Sequence, residues 1–234
     1  MTLIPHATRD QLRKVPLFSG LNDSLLEAVA AVATVDEFAR NDVIVHERDH
    51  GTSLFVILDG QVKVSLLRPD SREAILAILR PGEFFGEMSL LDNHPRSASV
   101  VAMEPTTVMI LTRTDFLSLI QSKPKIIHTM ILTLTTRLRK ADKKIADLAF
   151  LDAIGRVCGV LSQMAEESGE EVDEGIVIRN RPSHDQLGRM AATTRETVTH
   201  CMSTLERRGY ILSCGRDLII FSLNDMRKDF LLAR

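Results

Sequence analysis

The sequence is poor in cysteine, has no large excess of charge of either sign and contains no long apolar run. Its three cysteines lack the spacing of metal ligands, which argues against a zinc or iron–sulfur site built on cysteine. They are Cys158, Cys201 and Cys214, and we expect reduced thiols in a cytosolic protein. No apolar run reaches the length of a membrane span, and residues 1–13 have no apolar segment typical of a secretory signal. We therefore expect a cytoplasmic protein with no membrane partner and no metal.

The short motifs of common enzyme classes are also absent from the sequence. There is no nucleophile motif, no metal signature and no P-loop. The histidines His46, His50 and His94 are scattered singles, which favours surface or structural roles over haem or metal ligation. We therefore predict that the chain is not an enzyme and has no catalytic residues.

The formal net charge of −2 does not by itself indicate a nucleic-acid partner. The charge is uneven, however, with an acidic stretch at residues 166–174 and an arginine-rich stretch at residues 181–208. A DNA-binding domain needs to be basic on one face only. The proportions of hydrophobic residues, 44%, and charged residues, 26%, are ordinary for a globular chain, and the length suits one large or two modest domains.

Hydrophobic patterning separates a helical start from a β-rich region. Residues 9–32 predict two helices with a break at 20–23, and Asp23 or Ser24 is the expected cap of the second. Short β-rich runs punctuated by turn residues then predict an antiparallel barrel or jelly roll over residues 34–112. These runs lie at residues 54–58, 61–66, 74–79 and 107–111.

Residues 124–151 predict one long helix with a regular apolar seam. The members of the seam, separated by steps of four and three, are Ile127, Ile131, Leu134, Leu138, Ala141, Ile145 and Leu148. This pattern repeats over about three heptads and is typical of a two-stranded coiled coil. The alternative is a helix packed on its own domain, but such helices usually bury a wider stripe. We therefore expect a parallel homodimer.

Residues 152–234 predict a second domain. A helix over 154–165 is expected to lead into an acidic loop, two short helices follow, and residues 210–222 predict a hairpin that turns at 214–217.

The turn that contains Gly86 combines residues suited to a ribose phosphate. Gly86 lets backbone N–H groups approach an anion. Glu87 can accept a hydrogen bond from a sugar hydroxyl, Arg96 can donate two parallel hydrogen bonds to a phosphate, and Ser97 can add a hydroxyl. The alternative is a structural salt bridge between Glu87 and Arg96 in a pocket that binds nothing.

Residues 81–99 closely resemble the phosphate-binding cassette of cyclic-nucleotide-binding domains, with nine residues from Glu87 to Arg96. The resemblance implies that Glu87 binds the ribose 2′-hydroxyl and that Arg96 binds the cyclic phosphate. It implies the remaining phosphate contacts for Ser97 and the Gly86–Glu87 backbone. The candidate ligand-binding residues are Gly86, Glu87, Met88, Arg96, Ser97, Arg137, Ala141 and Asp142.

Residues 183–206 carry the pattern of a helix-turn-helix. Ser183 can cap a first helix, and Thr193 can cap a second, with Glu196 completing a capping box. Arg195 can bind guanine O6 and N7, and Glu196 can accept from cytosine N4. The alternatives are a solvated charge for Arg195 and capping alone for Glu196. The candidate DNA-binding residues are Ser183, Thr194, Arg195, Glu196, Thr199 and His200.

This segment resembles the winged helix-turn-helix of the CRP/FNR family, and residues 147–156 resemble that family's hinge. The resemblance covers nearly the full chain and implies an α+β protein. Its expected parts are a β jelly-roll sensor domain at 1–123, a coiled-coil dimerisation helix at 124–151 and a winged helix-turn-helix domain at 152–234.

The family resemblance implies a transcription regulator controlled by a cyclic nucleotide, with cAMP as the expected effector. The expected partners are a pseudo-palindromic site in double-stranded DNA, a second copy of the chain and RNA polymerase. The alternative is a cyclic-nucleotide-binding module that acts on a protein partner. No cysteine precedes Cys158, which disfavours an iron–sulfur sensor of the kind found in some relatives.

Two departures from the family pattern concern recognition. His200 stands where readers of a TGTGA half-site have a second arginine, and a neutral histidine is a weaker, pH-dependent donor. Ala141 and Asp142 stand where cAMP-responsive activators offer a threonine and a serine to the adenine. If Asp142 faces the pocket, its carboxylate suits the two N–H groups of guanine and favours cGMP or cyclic di-GMP. If it faces solvent, it is a solvated charge.

Overall fold

The computed structural model describes residues 7–70 and 72–231. Positions 1–6, which form part of the segment predicted to lack a secretory signal, lie outside the described residues. No helix among the described residues is long and apolar enough to cross a membrane. The described part of the chain also contains no group of three or more His, Cys, Asp or Glu residues placed to hold a metal ion.

Short helices come first in the described chain. Helix α1 (Arg9–Arg13) and helix α2 (Asp23–Val32) are separated by a 3-10 turn at Pro16–Phe18. The cap of α2 is Asn22, so the prediction of Asp23 or Ser24 was wrong by one residue or two. Asn22 has extended backbone angles, and its side chain accepts from the Leu25 amide at 3.1 Å, whereas Asp23 is already the first helical residue.

The β-rich region forms two four-stranded antiparallel sheets, as the jelly-roll prediction requires. The strands are β1 (Thr34–Phe38), β2 (Val43–Val45), β3 (Ser53–Asp59), β4 (Val62–Leu67), β5 (Glu73–Leu79), β6 (Phe84–Phe85), β7 (Ser99–Ala102) and β8 (Thr106–Thr112). One sheet has the order β1-β8-β3-β6 and the other β2-β7-β4-β5. The four predicted runs correspond to β3, β4, β5 and β8.

Two helices accompany the sheets, namely α3 (Glu87–Asp92), which lies between β6 and β7 in the chain, and α4 (Arg113–Ser122), which follows β8. A core of buried side chains joins β3 to α4 and to the N-terminal helices. Among its members are Leu12, Phe18, Leu54, Phe84, Phe116, Ile126 and Met130. Ile126 and Met130 belong to helix α5 (Pro124–Phe150), so the start of that helix is anchored in this core.

Helix α5 confirms the predicted long helix and separates two apolar stripes. Ile126 and Met130 are buried in the core just described. Most seam residues point elsewhere, since Leu138 is 62% exposed and Ile145 is 65% exposed, whereas Leu134 packs against the core. The chain divides into two compact units, and the boundary between them lies inside this helix, between Arg137 and Leu138. The domain boundaries proposed at 123/124 and 151/152 stay predictions.

The second unit contains helices α6 (Ala153–Ser168), α7 (His184–Met190), α8 (Arg195–Arg207) and α9 (Leu223–Phe230), with strands β9 (Gly169–Val172), β10 (Gly175–Ile178), β11 (Ile211–Cys214) and β12 (Asp217–Ile220). The strands form one sheet in the order β11-β12-β10-β9. The hairpin β11–β12 confirms the one predicted to turn at residues 214–217.

The acidic stretch at 166–174 is not the predicted loop. It comprises the end of α6, strand β9 and the turn into β10. Main-chain pairing with Ile176 and Val177 draws Glu171 and Glu170 into a strand. Strand β9 lies at the sheet edge, where exposed charges are tolerated and oppose edge-to-edge association.

Candidate nucleotide and DNA sites

The cassette turn begins at a glycine that no other residue can easily replace. Strand β6 pairs with β3 and ends at Phe85. Gly86 then adopts a φ of +86° as the N-cap of α3, and a Cβ there would lie 2.5 Å from the Nη1 of Arg96. Both the positive φ and the close approach require glycine. The backbone therefore brings the start of α3 against the guanidinium that follows it in the chain.

Arg96 is 7% exposed, and protein oxygens already hold it. Its Nη1 donates to the Gly86 carbonyl at 2.5 Å, and its Nη2 donates to the Ser53 carbonyl at 2.8 Å. The guanidinium carbon lies 5.6 Å from the ring centroid of Phe55. Burial lowers the pKa of Arg96, while the carboxylates of Glu87 and Asp49 act to raise it. These contacts fix the guanidinium in the cassette rather than in solvent.

Glu87 is 4% exposed, and its ion-pair partner is Arg137 rather than Arg96. Its Oε1 accepts from Arg137 Nη1 at 3.0 Å. Arg137 also donates to the Phe84 carbonyl at 2.5 Å, and its guanidinium lies 4.9 Å from the Phe84 ring centroid. Burial raises the pKa of Glu87, although Arg137 and Arg96 both favour its ionised form. The structural salt bridge weighed above, between Glu87 and Arg96, is thus replaced by one to the long helix.

Ser97 and Met88 lie at an exposed edge of the cassette. The Ser97 hydroxyl donates to the Met88 sulfur at 3.7 Å, a weak contact that a stronger acceptor would displace. Ala141 and Asp142 are exposed positions of α5 that belong to the second compact unit. Within the first unit, the structure therefore brings together Gly86, Glu87, Met88, Arg96, Ser97 and Arg137.

The helix-turn-helix has its first cap where the sequence predicts it and its second cap one residue later. Ser183 caps α7 in a reciprocal capping box with Gln186. The cap of α8 is Thr194, whose hydroxyl accepts from the Thr197 amide at 3.2 Å. Thr193 was the wrong choice because it lies in the turn, where its amide bonds to the Gly188 carbonyl.

This shift also removes the predicted capping box of α8. Glu196 is the second helical residue, so it is one position short of the place from which a side chain reaches back to the cap. Its backbone amide and the Thr194 hydroxyl nevertheless lower the pKa of its carboxyl.

Helix α8 buries one face and exposes the other, as a recognition helix must. The buried side chains are Val198, Cys201, Met202 and Leu205. The exposed side chains include the candidate contacts Arg195, Glu196, Thr199 and His200. The four candidates are therefore available to a ligand, and packing beneath them fixes the helix.

Sequence reasoning missed several residues near this helix. Arg156 donates to the Leu151 carbonyl and the Ala191 carbonyl, both at 2.9 Å, and so ties the start of α6 to the turn before α8. His184 and Arg216 line a cleft beside the start of α8. The arginine-rich composition of residues 181–208 was the signal available for this cleft, but no local pattern places Arg216 in it.

Comparisons with known proteins agree with this arrangement. Residues 35–123 match the cyclic nucleotide-binding domain family, and residues 155–228 match the Crp-like helix-turn-helix domain family. The chain is 33% identical over 196 residues to the cyclic AMP receptor protein of Thermus thermophilus, which covers 84% of this chain and 88% of that protein. It is 28% identical over 209 residues to a CRP-like cAMP-activated global transcriptional regulator of Mycobacterium tuberculosis, which covers 89% of this chain and 93% of that one.

Solved structures give the same fold. A CooA mutant from Carboxydothermus hydrogenoformans superposes with a TM-score of 0.77 at 23% identity, over 86% of this chain and 89% of that chain. The c-di-GMP responsive regulator CLP of Xanthomonas campestris gives a TM-score of 0.73 at 21% identity, over 86% of this chain and all of that one. Together with the two domain matches, these relatives confirm the predicted fold class.

The two matching domains have distinct and complementary roles. The first binds cyclic nucleotides and the second binds DNA, and the relatives are regulators of transcription rather than enzymes. The chain therefore belongs to the CRP/FNR family of DNA-binding transcription regulators, as a member with a cyclic-nucleotide-binding domain.

Proposed function

We propose that this regulator works in the cytoplasm as a homodimer, binds cAMP through Glu87, Arg96 and Ser97, and thereby gains affinity for a pseudo-palindromic DNA site. The observation that carries the proposal is the burial of Glu87, an acid for a ribose, and of Arg96, an arginine for a phosphate, in one cassette. RNA polymerase is the further partner that we propose, since the family acts on transcription.

The cassette is chemically suited to a cyclic phosphate. The contacts of Arg96 with two carbonyls engage two of the five N–H groups that a guanidinium carries. The remaining donors can turn to a phosphate, and charge-assisted bonds of this kind are stronger than bonds to neutral carbonyls. Ser97 gives up only a weak contact with Met88 in order to join them.

The position of Arg137 couples nucleotide binding to the long helix α5. A ribose hydroxyl that donates to Glu87 shares this carboxylate with Arg137, which lies on α5. The ligand therefore contacts Glu87, the ion-pair partner of Arg137, and can favour one arrangement of α5 over another. Only such differential contacts allow a ligand to shift an equilibrium.

The seam of α5 supports the proposed dimer. Ile131, Leu138 and Ile145 all expose more than half of their side-chain surface, although each is strongly hydrophobic. A parallel coiled coil buries such residues as knobs in the holes of a partner helix. Two copies of α8 would then enter successive major grooves about 34 Å apart. Footprinting is expected to give two protected half-sites, and a single protected half-site at saturation would contradict the dimer.

The effector is the finer part of the proposal. Relatives from Mycobacterium tuberculosis, Thermus thermophilus and Pseudomonas aeruginosa are named for cAMP, which supports cAMP here. The second candidate is a guanine nucleotide, cyclic di-GMP or cGMP, and Asp142 favours it. This exposed carboxylate lies five residues after Arg137 on α5 and can accept two hydrogen bonds, whereas the neighbouring Ala141 offers no hydroxyl to an adenine.

Calorimetry on the full chain separates these effectors. Wild type, Asp142→Ala and Asp142→Asn would be titrated with cAMP, cGMP and cyclic di-GMP. We expect cAMP to bind most tightly and both substitutions to leave its affinity unchanged. If the wild type prefers a guanine nucleotide and Asp142→Ala loses that preference, the second candidate is right.

A DNA-binding assay tests the regulatory function itself. Fluorescence anisotropy with a labelled duplex, selected from a random pool by the wild-type protein, would be run with and without saturating cAMP. We expect the nucleotide to raise DNA affinity by about 5- to 150-fold, the usual range of allosteric coupling. Identical affinity in both conditions would refute nucleotide control while leaving DNA binding in place.

A further inference from the structure

A positively charged cleft of about 470 Å³ lies in the second unit, between the start of α7, the start of α8 and the β11–β12 turn. Its basic lining residues are Arg181, His184, Arg195 and Arg216. One acid, Asp185, also lines the described cleft, but an ion pair at 2.7 Å directs its carboxylate to Arg189. The lining therefore has a surplus of positive charge, which suits an anion.

His184 is held in one orientation within this cleft. Its Nδ1 lies 2.9 Å from the Thr199 hydroxyl, and this hydroxyl in turn donates to the Arg195 carbonyl at 3.0 Å. A hydroxyl has one proton to donate, so Thr199 accepts from His184 and the imidazole proton resides on Nδ1. The other ring nitrogen, Nε2, is then the one that gains a proton when the imidazole becomes charged.

We propose that this cleft holds one phosphate of the DNA backbone, and that His184 donates to it through Nε2 only as an imidazolium, so that DNA binding takes up a proton. The inference rests on the proposed DNA binding and adds a contact residue and a regulating condition to it. The cleft adjoins the exposed recognition face, since Arg195 belongs to both and Thr199 holds His184. A duplex on that face brings its backbone to the cleft.

The charges around His184 determine the direction of the effect. Burial lowers its pKa, the guanidinium groups of Arg181 and Arg195 lower it further, and Glu206 alone acts to raise it. The free protein therefore holds a neutral imidazole near neutral pH. A phosphate among these groups outweighs the two guanidinium groups and raises the pKa of His184 in the DNA-bound protein. DNA affinity is then highest below the pKa that His184 has in the free protein. It falls as pH rises from there to the pKa of His184 in the DNA-bound protein, and it stays level above that pH.

The test uses the full-length protein with saturating cAMP and the labelled duplex described above, from pH 5.5 to 8.5 at constant ionic strength. Wild-type affinity is expected to fall as pH rises, by at most about tenfold per pH unit, because one proton is taken up. His184→Gln keeps a polar side chain but cannot titrate, so its affinity is expected to stay level. His46→Gln, at an exposed position of the other unit and outside the cassette, is the matched control and is expected to keep the wild-type profile.

His200→Gln separates the contributions of His184 and His200 to the pH dependence. His200 is included because it is a candidate base contact. Whatever its affinity, this variant is expected to retain the wild-type pH dependence. The inference is overturned if the pH dependence survives in His184→Gln, or if His200→Gln removes it. Absence of duplex binding by the wild type at every pH would instead remove the proposed DNA function, so the two failures are distinguishable.

Salt dependence identifies the contact as a phosphate. Each phosphate neutralised by a protein cation steepens the plot of log affinity against log salt by about 0.9. The wild-type slope is therefore expected to be steeper by about this amount at pH 5.5 than at pH 8.5, and the His184→Gln slope is expected not to change. Without DNA, inorganic phosphate at the same ionic strength is expected to shift the NMR titration of His184 far less than the duplex does, because only a duplex on the recognition face delivers a phosphate to the cleft at micromolar concentration. An equal shift by inorganic phosphate would assign the cleft to free phosphate and overturn the assignment to DNA.

Discussion

The nucleotide cassette and the recognition helix use charge in opposite ways. Glu87 and Arg96 are almost fully buried, and protein groups already hold them. Arg195 and Glu196 are exposed, and their helix is fixed by the apolar residues beneath it. Charged groups in a cassette must be arranged before a small ligand arrives, because the low dielectric makes an unpaired buried charge costly. Charged groups that read DNA need only a rigid platform.

Helix α5 contains the same contrast within one element. Its first turns place Ile126, Met130 and Arg137 against the sensor core or cassette, while Leu138 and Ile145 are exposed. The buried residues have found their partners within the chain. The exposed residues would be buried in the proposed dimer, where they pack against the same helix of a second copy.

The largest expected effect tests the exposed seam. Leu138→Glu would place a carboxylate in the dimer core, and an uncompensated buried charge costs about 3 kcal/mol or more. We expect the dimer to weaken by roughly a hundredfold or more in sedimentation equilibrium. The control is Leu132→Glu, because Leu132 is also exposed on α5 but lies outside the heptad seam. Equal dimerisation of Leu138→Glu and wild type would mean that the seam is not the interface.

The next effect tests whether the buried charge of Arg96 contributes both to the stability of the fold and to nucleotide binding. Arg96→Ala removes a phosphate donor and leaves the Gly86 and Ser53 carbonyls without their partner. Nucleotide affinity is expected to fall by at least about 2 kcal/mol, roughly thirtyfold, and the sensor unit should also lose stability. Calorimetry with cAMP and thermal unfolding measure the two losses.

The control for Arg96→Ala removes an arginine with no structural role in the cassette. Arg72 is exposed in the β4–β5 turn, and its visible partner is Asp70 on the same turn. Arg72→Ala is expected to preserve both affinity and stability. If Arg96→Ala binds cAMP as tightly as wild type, the cassette does not use this guanidinium.

A smaller effect, confined to binding, is expected at the recognition helix. Arg195→Ala should reduce affinity for the selected sequence by about 1–3 kcal/mol and relax preference at one base pair. It should leave the melting temperature unchanged, because Arg195 is exposed. Competition between the selected duplex and single-base variants measures the preference. Uniform weakening on all sequences would mean that Arg195 contacts phosphates only.

The smallest effect concerns the platform beneath the recognition helix. Ala192 has a φ of +50° in the turn before α8, where glycine is less strained. Ala192→Gly is expected to stabilise the second unit by up to about 1 kcal/mol, measured by chemical denaturation. Ala28→Gly, at an exposed position inside helix α2, is expected to cost about 1 kcal/mol instead. Destabilisation by Ala192→Gly would show that the Ala192 methyl group has a packing role that outweighs the strain.

Sequence patterns located the long elements better than the short ones. The runs that became β3, β4, β5 and β8 are long enough to show alternation, and the heptad spacing identified α5 directly. Strands β2, β6, β7, β9 and β10 have only two to four residues each. A strand of that length exists because a neighbour pairs with it, so its own residues carry little signal. The acidic β9 is the clearest case, since it was predicted as a loop.

The sequence by itself determined which candidate residues share a turn or a helix, because the cassette and the helix-turn-helix are local motifs with fixed spacing. It placed Glu87, Arg96 and Ser97 on one turn, and Arg195 and Glu196 at the start of one helix. These groups lie within a few turns of chain, and local geometry alone brings them near each other.

Only the tertiary structure decided which partners these residues take. Glu87 pairs with Arg137, fifty positions away, and His184 bonds to Thr199 on the next helix. Thr194 rather than Thr193 became a cap, because packing of the turn against Gly188 chose the first helical residue. Contacts between distant segments depend on how the sheets and helices pack, and residue spacing along the chain carries no record of that packing.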